Sequence, residues 1–63
     1  MNAKRQALKA LSENNYFFKR HGGNHDIYYN EELHCSIPIS HDFHDDDLKL
    51  ILDEIKKNNR RRG

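Results

Sequence analysis

Residues 16–30 read YFFKRHGGNHDIYYN, and the pattern inside this stretch decides the fold. Two runs rich in aromatic and β-branched residues, 16–20 and 26–30, flank the triplet Gly22-Gly23-Asn24. Strand formers on either side of a glycine turn predict an antiparallel β-hairpin. In the second run Ile27 and Tyr29 fall on one face, because side chains alternate along a strand.

Working outward, residues 3–14 place Ala7, Leu8 and Leu11 at helical spacing, with Ala10 beside them. Asn2 is suited to cap the start of this helix. The pair Asn14-Asn15 is suited to stop it, since Asn tolerates the left-handed conformation. Beyond the hairpin, residues 30–33 turn the chain. Residues 34–39 predict a third strand, in which Cys35, Ile37 and Ile39 alternate with His34, Ser36 and Pro38. Pro38 has no N–H, which points to a sheet edge or a strand end. A loop over residues 40–44 leads into a last helix over residues 45–58. Its apolar stripe is Leu48, Ile51, Leu52 and Ile55. Asp45, Asp46 and Asp47 stand at its start and Lys56 and Lys57 near its end, as the helix dipole prefers. The order is α-β-β-β-α. An α+β domain follows: a three-stranded antiparallel sheet with two helices on one face and the other face open.

Sixty-three residues make a single domain, 1–63, with residues 59–63 set apart as a basic tail that grips phosphate or merely solubilises. A chain of this size buries only about 60% of its unfolded surface, so it has no room for a deep substrate cleft. A site must lie on the surface and its substrate must be large. Charged residues are 33% of the chain and net charge is only +1. The charges are unevenly spread, however, with bases at both ends and acids between residues 42 and 54. A basic face is compatible with such a balance. The lone Cys35 excludes an internal disulfide, and no apolar run approaches the ~20 residues of a membrane span. The expectation is a cytoplasmic protein with no membrane segment and no cofactor.

The run Arg20-His21-Gly22-Gly23-Asn24-His25-Asp26-Ile27-Tyr28 resembles the signature of HicA toxins, in which a glycine turn precedes a His that opens a strand. The common form of that motif has Ser where this chain has Asn24. The flanks are similar to the family too. Residues 8–16 (LKALSENNY) resemble its first helix, Ile37-Pro38-Ile39 with His41 its third strand, and residues 48–52 (LKLIL) its last helix. The resemblance implies a fold like the double-stranded-RNA-binding domain, cleavage of mRNA, a catalytic role for His25, and neutralisation by a HicB-type antitoxin protein.

The chemistry of the residues agrees with that assignment. RNA carries its own nucleophile, the 2′-OH, beside every phosphate. Removing that proton near neutral pH suits an imidazole. Lys19 and Arg20 are placed to hold a phosphate, and Gly22 and Gly23 let it approach the backbone. His21, in the same loop, is a candidate acid for the leaving oxygen. His34 and His41 read as solvated or hydrogen-bonded residues at strand ends. His41 and His44 with Asp45 to Asp47 are the one segment that suggests a metal. An acidic first helical turn already explains those aspartates, so the expectation is a metal-independent endoribonuclease. The rival expectation is a non-catalytic RNA-binding or partner-binding module of the same fold.

Overall fold

The computed structural model describes residues 2–61, as α1 (Ala3–Glu13), β1 (Phe17–Gly22), β2 (His25–Asn30), β3 (Cys35–Ser40) and α2 (Asp45–Arg61). The Asn2 side chain caps α1 by accepting the Lys4 and Arg5 N–H groups. The helix stops where the sequence says it should. Asn15 takes the left-handed conformation (φ 69°), the Tyr16 N–H donates to the Leu11 carbonyl at 2.8 Å, and the Asn15 N–H donates to that of Ser12 at 3.2 Å. This pairing ties off the last turn and aims the chain directly into β1. Asp47 opens α2 by accepting the His44 N–H at 3.0 Å from the third helical position.

The strands form one antiparallel sheet in the order β1-β2-β3, so β3 with Pro38 is an edge strand. Gly23 has φ 63°, and only Gly23 and Asn24 separate the paired residues Gly22 and His25. A positive φ at the first of two turn residues matches the right-handed twist of the flanking strands. β1 therefore runs two residues further than its composition suggests, to Gly22 rather than Arg20. Its register also shifts between Phe18 and Arg20. Lys19 is the extra residue of a β-bulge, and the bulge decides which side chains face where. Directly paired residues share a face. Phe18 and His21 pair with Tyr28 and Asp26 on the helix side, while Phe17, Arg20 and Gly22 pair with Tyr29, Ile27 and His25 on the other.

The core lies on one side of the sheet. Leu11, Tyr16, Ile37, Ile39 and Ile55 are buried, and Leu8, Ala10, Tyr28, Cys35, Phe43 and Ile51 pack around them. Of the expected stripe on α2, Leu52 is 42% exposed. Its place is taken further along by Asn58, which is buried and donates to the Tyr16 hydroxyl at 3.1 Å. That bond holds α2 against the α1–β1 junction. The next residue, Asn59, donates to Oδ1 of the α1 cap Asn14 at 3.3 Å, and the helix runs past residue 58 to Arg61. The stretch read as a basic tail is thus helical as far as it is described; Arg62 and Gly63 lie outside the described residues.

Candidate functional site: two faces of one sheet

The face away from the helices is built by alternation. It carries Phe17, Lys19, Arg20 and Gly22 from β1, His25, Ile27 and Tyr29 from β2, and Ser36, Pro38 and Ser40 from β3. No carboxylate projects from the strands themselves onto this face; Glu31 and Glu32, from the turn after β2, border its far end beside Phe17, Lys19 and Tyr29. His25 is exposed at the start of β2, between Gly22 and Ser40. A Cβ built on Gly22 would stand 3.6 Å from Arg20 Nη1 and 3.6 Å from Ile27 Cγ1. The missing side chain is therefore the floor along which the Arg20 guanidinium lies, toward the strand position of His25. Lys19 goes elsewhere. Its ammonium sits 4.2 Å from the centroid of the Tyr29 ring, a cation–π contact toward the far end of the same face. Phe17 is 58% exposed next to it. Of the phosphate-binding candidates, Gly22 pairs with His25, the Arg20 guanidinium lies over Gly22, Gly23 is in the turn, and Lys19 is drawn away to Tyr29.

On the helix side, at the same end of the sheet, three other side chains converge. His21 Nδ1 lies 2.5 Å and His41 Nε2 2.9 Å from a single atom, Asp26 Oδ1. Asp26 is the carboxylate between them and its side chain is 19% exposed; those of His21 and His41 are 72% and 47% exposed. The hydrogen bond from His41, helped by the one from His21, holds the Asp26 carboxyl below the usual carboxylate range. Local structure fixes each partner. Register puts His21 opposite Asp26. The His41 N–H donates to the Asn24 carbonyl at 2.8 Å, which pins the residue after β3 to the hairpin turn. The Phe18 ring packs edge-on against His21, centroids 5.2 Å apart. One candidate ligand atom from each residue, all within 4.8 Å of one another, makes this the group that could hold a metal ion among the described residues.

The two constellations face opposite ways. His21 and Gly22 are neighbours in β1, so His21 points to the helix side and the partner of Gly22, His25, points away. His21 cannot serve as leaving-group acid to a base at His25, because the sheet stands between them; this corrects the loop placement read from sequence. His41 is hydrogen-bonded at a strand end, as expected. His34 is an exposed turn residue with φ 55°. His44 lies 3.6 Å from Asp42 at the start of α2, and Asp47 is occupied as a helix cap. The His21–Asp26–His41 group escaped the sequence reading because it needs the last two residues of β1 in the ladder. A hairpin register carried through Gly22 would have revealed it.

Among the described residues no helix is long and apolar enough to cross a membrane. Comparison with protein-family models, with curated proteins and with solved structures gives no match.

Proposed function

We propose that this protein is an RNA-binding module that holds single-stranded RNA on the open face of its sheet. The observation that carries the proposal is the sorting of charge by face. Arg20, Lys19 and His25 share a surface with Tyr29, Phe17 and Ile27, while the strands' one carboxylate, Asp26, is on the opposite side between two histidines. Glu31 and Glu32 touch the open face only at its far end. Cations hold phosphates, and exposed rings stack on unpaired bases, each stack being worth about 1–3 kcal/mol. Unpaired bases are available in mRNA and not inside a duplex. Fluorescence anisotropy with a labelled single-stranded RNA tests this. Replacing the exposed ring, by Phe17→Ala, should weaken binding by roughly 5–150-fold, the equivalent of one lost stack. Arg20→Ala should flatten the salt dependence by about 0.7 in the log–log slope, the equivalent of one lost phosphate contact. Wild-type protein that binds no RNA at low salt sinks the proposal.

A second reading is favoured by one local feature, the exposure of His25 across the ladder from Gly22, over which the Arg20 guanidinium lies. It is the reading implied by the HicA resemblance: an mRNA endonuclease and toxin, silenced when a HicB-type antitoxin covers this face. His25 would take the proton of a ribose 2′-OH, which attacks its neighbouring phosphorus. Arg20 would steady the charge on the phosphate. The P–O5′ bond would break as the 2′-oxygen bonds to phosphorus, and the leaving oxygen would take a proton from water. The products would be a 2′,3′-cyclic phosphate and a 5′-hydroxyl. Incubating purified protein with mRNA separates the two readings. Cleavage abolished by His25→Ala and by a 2′-deoxy nucleotide at the cut site supports the enzyme. Intact RNA bound by wild-type protein leaves the binding module.

A further inference from the structure

We propose that His21, Asp26 and His41 form a zinc site on the helix side of the sheet, separate from the RNA face and independent of what that face does. Two imidazoles and a carboxylate are a donor set that Zn2+ accepts, and three protein ligands leave one tetrahedral position for water. The donors come from three parts of the chain that folding alone brings together: the end of β1, the start of β2, and the residue after β3.

The geometry is close to what the ion needs. Metal–ligand bonds of ~2.0–2.1 Å at tetrahedral angles put neighbouring donor atoms roughly 3.3 Å apart. The two histidine nitrogens are now 2.5 and 2.9 Å from the same Asp26 oxygen. Binding requires each nitrogen to withdraw by less than an ångström as the ion takes the place of the hydrogen atoms that now bridge them to oxygen. His21 would coordinate through Nδ1 and keep its remaining proton on Nε2. His41 would coordinate through Nε2 and keep its proton on Nδ1. Exposed side chains allow these small rotations, and they give the ion an entry path. Orientation is nevertheless held from outside the donor set. Phe18 packs against the His21 ring, and the His41 backbone is bonded to Asn24. Such supporting contacts set the pose of metal-binding imidazoles and tune their affinity. Bound zinc would tie both outer strands to the central one, so it stabilises the folded chain by mass action.

Isothermal titration calorimetry of the full chain with ZnCl2, paired with thermal melts, tests the assignment. The wild type should bind a single Zn2+ per chain and melt higher with it. His21→Ala and His41→Ala should each raise the Kd at least about tenfold and remove the zinc-dependent rise in Tm. Both histidines are exposed enough to be replaced without loss of the core, and far-UV circular dichroism checks this. His44→Ala and His34→Ala should bind as the wild type does. Co2+ in place of zinc should give the visible absorption of a tetrahedral nitrogen–oxygen site, without the sulfur charge-transfer band that Cys35 would add. The proposal is overturned if the wild type fails to bind Zn2+ at ~100 μM, a concentration well above that of a specific site. It is equally overturned if binding survives both His21→Ala and His41→Ala, or if His44→Ala abolishes it.

Discussion

Removing a single oxygen, by Tyr16→Phe, perturbs the contact that joins α2 to the start of the sheet. Tyr16 is 1% exposed, its hydroxyl accepts from the amide of buried Asn58 at 3.1 Å, and it lies 3.4 Å from Cys35 Sγ. Phenylalanine fills nearly the same volume, so packing is kept and the polar contact alone is lost. The Asn58 amide then stays buried without its acceptor, at a cost of about 1–3 kcal/mol. Stability of about 0.05–0.15 kcal/mol per residue gives a chain of this length roughly 3–9 kcal/mol in total. The loss is therefore a large share, equivalent to a Tm drop of roughly 4–24 °C at about 4–8 °C per kcal/mol. Urea denaturation followed by circular dichroism reads it directly. Combining Tyr16→Phe with Asn58→Leu should recover most of the loss, since replacing both partners leaves nothing buried and unpaired. A Tyr16→Phe change within about 0.5 kcal/mol of wild type, the range of ordinary surface substitutions, would refute the reasoning.

Burial first, and then the contact with Cys35, push the Tyr16 hydroxyl up to about 12 from its usual 10. A raised folded value stabilises the protein below pH 10, and that stability is lost as pH climbs through 12. The loss is on the order of 2–3 kcal/mol, and a tyrosinate titration should show late ionisation coinciding with unfolding. Asn30→Ala should cost about 1–3 kcal/mol in urea melts, because buried Asn30 donates to the Asn14 carbonyl at 3.0 Å and accepts the Leu33 N–H at 2.9 Å; a negligible cost would mean water satisfies those groups. Gly23→Val should cost about 1–2 kcal/mol, since Gly23 sits at φ 63° where a β-branched side chain is strained. Gly23→Asn should cost less, and equal losses would show that the strain is not local to φ. EDTA should leave RNA affinity unchanged, because the candidate metal ligands and the RNA face are on opposite sides of the sheet; a fall in affinity on chelation would join them.

Much of the fold was legible because its signals are local. Asn2, Asn14 and Asn15 bound α1 through backbone contacts within a few residues, and the alternation of Cys35, Ile37 and Ile39 marks the buried face of β3. The beginning of α2 was equally plain from its three aspartates. Its end was not, since a buried Asn58 looks like a stop until Tyr16, 42 residues away, is seen to bond it. The hairpin is plain from its glycine turn, but the length of its strands is not. Gly22 and Gly23 look alike in sequence, but only Gly23 is in the turn, and Gly22 stays in the ladder. The bulge at Lys19 has no comparable signature. Without it, a strand starting at Phe17 would put Lys19 and His21 on the open face and Arg20 on the helix side. With it, Arg20 joins His25 and His21 turns to Asp26. One unpaired residue thus separates the face read from sequence as catalytic from the His–Asp–His group that sequence did not show.

The claim that RNA lies on the open face is tested most directly by NMR of methyl-labelled protein titrated with single-stranded RNA. Ile27 is on that face, Ile37 and Ile39 are in the core, and Leu50 and Leu52 are exposed on α2. These methyl groups report separately on the open face, the interior and the helical surface. RNA on the open face predicts that the Ile27 methyl signals move with saturation while those of Leu50 and Leu52 stay in place. Shifts at Leu50 and Leu52 with Ile27 unmoved would place RNA on the helices and contradict the account.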